Sequence, residues 1–186
     1  MQNLPNRQSI RLRGFDYSQN GLYFCTICTH DRENLFGEII DGKMVLNNAG
    51  KIIDYWLNQI PTKYNGVILD EYQIMPNHIH IIINIVGAGF PRPKTLGQIL
   101  AYFKYQSAKS VRLAKSGAGV VDLSGAETAP LQNKWVYIKK IFQRNYYEHI
   151  IRDENEYTKI CNYIQNNPKN WEKDKNNIHI IPQQYQ

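Results

Sequence analysis

The chain has 186 residues, 42% hydrophobic, 20% charged and 12% aromatic, which is enough apolar material for one packed core and too much for a disordered tail. Its longest apolar run, residues 79–86, is interrupted by Asn84 and falls far short of the roughly 20 residues that span a bilayer, so no membrane helix is expected. The formal charge of +6 is unevenly placed: residues 73–121 contain no Asp or Glu and carry Arg92, Lys94, Lys104, Lys109, Arg112 and Lys115, a pattern that favours a polyanionic partner. Thirteen tyrosines add flat faces on which unpaired bases can stack. The opening residues MQNLPNRQSIRLR lack the apolar stretch of a signal peptide, and the expected compartment is the cytoplasm.

The first predicted strand covers residues 21–29. Its Cys25 and Cys28 lie three apart, so in a strand the two thiols face opposite ways and are read as structural. Asn47 or Asn48 caps a helix to about residue 59, with Ile52, Ile53, Trp56, Leu57 and Ile60 on one face and Pro61 as its stop. Residues 66–74 and 78–86 read as an antiparallel pair turned by Met75-Pro76-Asn77. Thr95 caps a second helix to about residue 115. Its apolar arc includes Leu96, Ile99 and Phe103, and Lys104, Lys109, Arg112 and Lys115 on the other arc are candidate phosphate contacts.

Residues 116–133 read as a surface insertion. Strand material follows at 136–142 and 146–151, and Asp153 with Glu156 forms a capping-box pattern that starts a last helix. That helix is expected to end near Asn167, because Pro168 disfavours the α region for the residue before it. The order β, α, β, β, α, β, α predicts an α+β fold: a ferredoxin-like antiparallel sheet with helices packed on one face, plus a C-terminal helix, all in one domain over residues 1–186.

Two features carry chemistry. His78 and His80 are two apart on a predicted strand, so both imidazoles stand on one face as candidate metal ligands while Ile79 faces away. Tyr163 and Asn167 are four apart on the last helix and share a face, with Tyr163 at the margin of an apolar stripe of Tyr157, Ile160, Cys161 and Ile164. There Tyr163 is placed as a nucleophile and the Asn167 carboxamide as a further metal donor. Arg144 and Arg152 are candidate phosphate contacts, since guanidinium binds phosphate bidentately. His149 shares a strand face with Tyr147 and is either a phosphate contact or a structural hydrogen bond.

The segments MPNHIHIII, IFQRNYYEHIIRDENEY and YIQNNPKNW, with the opening RQSIRLRGFDYSQNGLYFCTICTHDRENLFGEI, together resemble the HUH-type single-tyrosine transposases and most closely the REP-associated tyrosine transposases. The resemblance covers most of the chain outside 116–133, and Phe142 stands where relatives commonly carry Trp. It implies His78 and His80 as the metal pair, Tyr163 as nucleophile, Asn167 as third ligand, and Mg²⁺ or Mn²⁺ as the ion. It implies cleavage and rejoining of single-stranded or hairpin DNA through a 5′-phosphotyrosine, in a monomer or homodimer. Two other readings stay open on the residues alone: a hairpin-binding module without catalysis, and a metallophosphoesterase in which water attacks.

Overall fold

The computed structural model describes residues 19–86, 95–115 and 140–177. β1 (Gly21–Cys28) leads through a short 3-10 turn, His30–Arg32, into a hairpin of β2 (Gly37–Ile40) and β3 (Lys43–Leu46). α1 (Asn48–Lys63), β4 (Val67–Ile74) and β5 (His78–Ile85) follow, then α2 (Leu96–Lys115), β6 (Tyr147–Ile151), α3 (Glu154–Asn166) and a second 3-10 turn, Pro168–Lys173. The main sheet has the order β4-β5-β1-β6 with every pair antiparallel, which is the ferredoxin-like arrangement. No helix among the described residues is long and apolar enough to cross a membrane.

Strand parity divides the apolar residues between two layers. Odd positions of β1 and β5, including Tyr23, Cys25, Ile27, Ile79, Ile81 and Ile83, pack with Ile53, Leu57 and Ile60 of α1 and Leu96, Ile99 and Phe103 of α2. Even positions of these two strands face the other way, where Phe24 and Ile82, joined by Ile151 of β6, meet Ile164 of α3, with Tyr157, Ile160 and Cys161 around them. α1 and α2 therefore cover one face and α3 the opposite one. Fully burying one aliphatic side chain contributes about 1.5–3 kcal/mol, so the larger layer dominates stability and the smaller one fixes where α3 lies.

The helix starts follow local chemistry. Asn47 accepts from the Gly50 N–H at 2.9 Å, Asp153 accepts from the Glu156 N–H at 2.9 Å, and Thr95 and Gln98 exchange side-chain bonds with each other's backbone N–H. One expected stop is corrected, and one is met for a different reason, since α3 does end at Asn166 with Asn167 as its C-cap. α1 runs past Pro61 to Lys63, since a proline this close to the end removes only one helical bond, and the Tyr64 N–H to Ile60 carbonyl bond at 3.0 Å closes the last turn. Asn167 remains helical (φ −59°, ψ −42°) although Pro168 follows, and the chain tightens into the Pro168–Lys173 turn. Its buried side chain has a tertiary partner that offsets the steric cost of standing before proline.

The β2–β3 hairpin is an addition to the sequence reading. Its two-residue turn, Asp41-Gly42, has φ of 50° and 71°, the left-handed pair that lets a hairpin close with the strands' natural twist. The hairpin leans on α1 through Gly50, where an added Cβ would lie 2.2 Å from the Phe36 carbonyl oxygen, and its tip meets Lys169. Of the expected strand at 136–142, residues 136–139 lie outside the described residues, and Phe142 forms an isolated bridge to Thr29. The predicted insertion at 116–133 also lies outside them.

Candidate active site

β5 begins directly after the turn at Pro76-Asn77, and its even residues His78 and His80 project toward α3, both fully buried. Such imidazoles need partners on both nitrogens. Asn77 Nδ2 donates to the carbonyls of Arg32 (3.1 Å) and Asn176 (2.7 Å), which leaves Asn77 Oδ1 as an acceptor 2.8 Å from His78 Nδ1. His78 therefore carries its proton on Nδ1 and keeps the Nε2 lone pair. His80 Nδ1 meets the Thr26 hydroxyl at 2.9 Å, across the β1–β5 register that pairs these residues, and its ring stacks on Phe24 with centroids 5.5 Å apart. The two Nε2 atoms converge to 3.0 Å.

Asp174 completes the cluster. The 3-10 turn after α3 folds the chain back so that Asp174 is buried beside the pair, with its Oδ2 3.9 Å from His78 Nε2. One ligand atom from each of His78, His80 and Asp174 lies within 4.8 Å of the others, spacing that suits a shared cation. Asn167 Nδ2 donates to Asp174 Oδ2 at 2.9 Å, and Asn167 Oδ1 is buried with no hydrogen-bond partner among the described residues. That orphaned oxygen, the two facing imidazole Nε2 atoms and the Asp174 carboxylate make a donor set that could hold a divalent ion. Burial pushes His78 down to about 4, against the opposing pull of the Asp174 carboxylate, and pushes His80 well below the usual imidazole range. Both rings are neutral near pH 7, the form that ligates.

Tyr163 stands at the rim, 42% exposed, with its hydroxyl 3.2 Å from His80 Nε2 and its ring edge-on to Phe24. Burial first and the Asp174 carboxylate second raise its pKa, while a hydrogen bond from Asn167 works the other way. The arrangement is a phenol open to solvent on one side and touching a buried cation-type donor set on the other. His78, His80, Tyr163 and Asn167 are thus brought together. Asp174 is the member that sequence reasoning missed: its local signal, an Asx-type bond from the Asn176 N–H to Asp174 Oδ1, marks an ordinary turn residue.

The other sequence candidates lie apart from this cluster. Lys104 donates to the carbonyls of Gln143 (2.6 Å) and Arg144 (3.0 Å), and burial lowers its pKa to about 8. Lys109, Arg112, Arg144 and Arg152 are exposed, and the Lys115 side chain lies outside the described residues. His149 Nε2 bonds Glu156 at 2.6 Å, tying β6 to the first turn of α3. Of the neighbouring tyrosines, Tyr146 packs against the α1/α2 layer, and Tyr147, like Tyr163, meets Phe24 edge-on.

No model of a protein family matches the sequence. A Haemophilus influenzae protein described as uncharacterized is 39% identical over 172 residues, spanning 92% of this chain and 93% of that one. The chain belongs to that protein's family. A solved structure of a REP-associated tyrosine transposase bound to a REP hairpin superposes with a TM-score of 0.56 at 16% identity, covering 87% of this chain and 73% of the other. The fold is therefore that of a tyrosine transposase, in agreement with the resemblance drawn from the motifs.

Proposed function

We propose that the protein is a metal-dependent transposase or endonuclease that cleaves and rejoins single-stranded DNA at hairpin elements through a covalent bond to Tyr163. The reading rests on one observation above all, the Tyr163 hydroxyl 3.2 Å from His80 Nε2 at the edge of a buried His78–His80–Asp174 cluster. The shared fold with a hairpin-bound transposase supports the choice of DNA. His78, His80 and Asp174 would hold Mg²⁺ or Mn²⁺, with Asn167 Oδ1 as a fourth donor, and the mixture of nitrogen and oxygen favours Mn²⁺. When bound, the ion supplies positive charge beside the phosphate oxygens and the developing phenolate.

The chain's own groups do the rest. The phenol oxygen of Tyr163 attacks phosphorus, and the bond from phosphorus to the 3′ oxygen of the upstream nucleotide breaks. The 5′-phosphate stays on tyrosine, and the upstream strand leaves with a 3′-hydroxyl that has gained, in net, the phenolic proton. Attack of that hydroxyl, or another strand's, on the phosphotyrosine runs the step backwards and returns the proton to Tyr163, so rejoining needs no nucleotide cofactor. Burial and Asp174 keep the unassisted phenol protonated, which limits its reactivity until substrate and ion are both present. Exposed Lys109, Arg112, Arg144 and Arg152 are the proposed backbone contacts.

The test is a denaturing gel of purified protein with labelled single-stranded hairpin DNAs, with and without Mn²⁺, for wild type, Tyr163→Phe and His78→Ala. A metal-dependent covalent adduct restricted to wild type is expected. Cleavage to free ends that persists in Tyr163→Phe would make water the nucleophile, and tight hairpin binding with no cleavage across a broad substrate panel would favour the binding module.

A further inference from the structure

The carboxylate in the candidate metal cluster sits on the last described turn of the chain, so something must hold that turn against the sheet. Asn176, two residues beyond Asp174, is 3% exposed and sits at the centre of the contacts. Its backbone N–H donates to Asp174 Oδ1 at 2.6 Å, its carbonyl accepts from Asn77 Nδ2 at 2.7 Å, and its side-chain Oδ1 accepts from Arg32 Nη1. Asn77 Nδ2 also donates to the Arg32 carbonyl, and Asn77 Oδ1 orients His78. Arg32 and Asn176 are 144 residues apart in sequence, and both bond the same asparagine next to His78.

The backbone that delivers Arg32 is strained. Asp31 and Arg32 both have left-handed φ, 52° and 55°, in consecutive residues that are not glycine. Left-handed φ crowds the Cβ of such residues, and these conformations persist where surrounding contacts over-determine them, most often at functional sites. From this turn the Arg32 side chain reaches the C-terminal turn, where its Nη1 donates to a single amide oxygen.

We infer that Arg32 and Asn176 form a latch that positions Asp174, so that the metal-binding strength of the His78–His80–Asp174 cluster depends on a bond between the turn after β1 and the turn after α3. Arg32 and Asn176 are positioning residues in this scheme. The inference rests on the metal reading proposed above and adds to it a pair of residues outside the donor set. Partners of metal ligands are commonly worth 10–100-fold in metal affinity, which sets the size of the expected effect.

The experiment measures Mn²⁺ dissociation constants by electron paramagnetic resonance for wild type, His78→Ala, Arg32→Met, Asn176→Leu and the Arg32→Met/Asn176→Leu double variant. The latch predicts affinity weakened by about 10–100-fold in each single variant and no further weakening in the double, because both substitutions break the same bond. Affinity within twofold of wild type in either single variant, or effects that multiply in the double, overturns the latch. Wild type that takes up no Mn²⁺, or His78→Ala that binds it as wild type does, overturns the metal reading itself. Binding abolished in His78→Ala but kept in Arg32→Met overturns the latch alone. Should Arg32→Met not fold, Asn176→Ala decides: it removes the accepting Oδ1, keeps the backbone bonds to Asp174 and Asn77, and is expected to weaken Mn²⁺ at least tenfold, with unchanged affinity counting against the latch.

Discussion

Tyr163 and His80 meet from different layers, one on a helix and one on the sheet, and Phe24 packs against both rings beside their 3.2 Å contact. The period-two spacing of His78 and His80 and the four-residue spacing of Tyr163 and Asn167 made each pair legible as a shared face. Asp174 was not legible, since its approach follows from Asn167 staying helical before a proline and from a 3-10 turn that no apolar pattern announces. Asp174→Asn keeps the shape and removes the charge. Mn²⁺ affinity is expected to fall by more than about tenfold, measured by titration calorimetry, and an unchanged affinity would remove Asp174 from the donor set. Tyr163→Phe is expected to leave Mn²⁺ affinity near wild type while abolishing the DNA adduct, which separates nucleophile from ligand.

α3 carries the tyrosine, and its first turn is anchored twice. Asp153 caps it, and Glu156 accepts from the Arg152 N–H at 2.9 Å and bonds His149 at 2.6 Å. The glutamate thus reaches one residue before the cap, where the capping-box pattern would have it reach the cap itself. Asp153→Ala is expected to cost about 1 kcal/mol in a chemical denaturation curve. The Arg152 N–H, and then His149, hold the Glu156 carboxyl below its ordinary pKa. A depressed carboxylate contributes stability above its unfolded pKa and loses it as the pH falls through the folded value. The melting-temperature gap between wild type and Glu156→Gln should accordingly shrink as the pH is lowered from 7 to 3, and a gap that widens would contradict the anchor. The β2–β3 hairpin was legible in principle from Asp41-Gly42 between apolar residues, but its strands are only four residues each, and their sequences, GEII and KMVL, scarcely alternate in polarity although their burial does. Gly50→Ala would drive a Cβ into the Phe36 carbonyl and is expected to destabilise the protein by about 1–3 kcal/mol, read by thermal melting.

Across the whole molecule, α1 and α2 cover the odd face of the sheet and α3 the even face, so the chemistry lies in the thinner layer, away from the main core. The basic residues divide in the same way between structure and surface. Lys104 spends its ammonium on two carbonyls, whereas Arg112 and Arg144 are exposed. Replacing Arg112 or Arg144 by Ala should reduce the salt dependence of single-stranded DNA binding by about 0.7 in log–log slope for each phosphate that goes unneutralised. Lys104→Met should leave that slope unchanged and instead lower stability by about 1.5–3 kcal/mol, since a charged donor bonds the chain just before β6.

Local periodicity and capping determined the four main strands, the three helices and the common face of each candidate pair, because side-chain direction along a strand or helix follows from backbone geometry alone. Tertiary structure decided which faces meet. It set α3 against the even side of the sheet, carried Asp174 back to His78, and withdrew Lys104 and His149 into hydrogen bonds. Those outcomes depend on contacts between different elements, most of them distant in sequence, and no spacing rule within a single element encodes them.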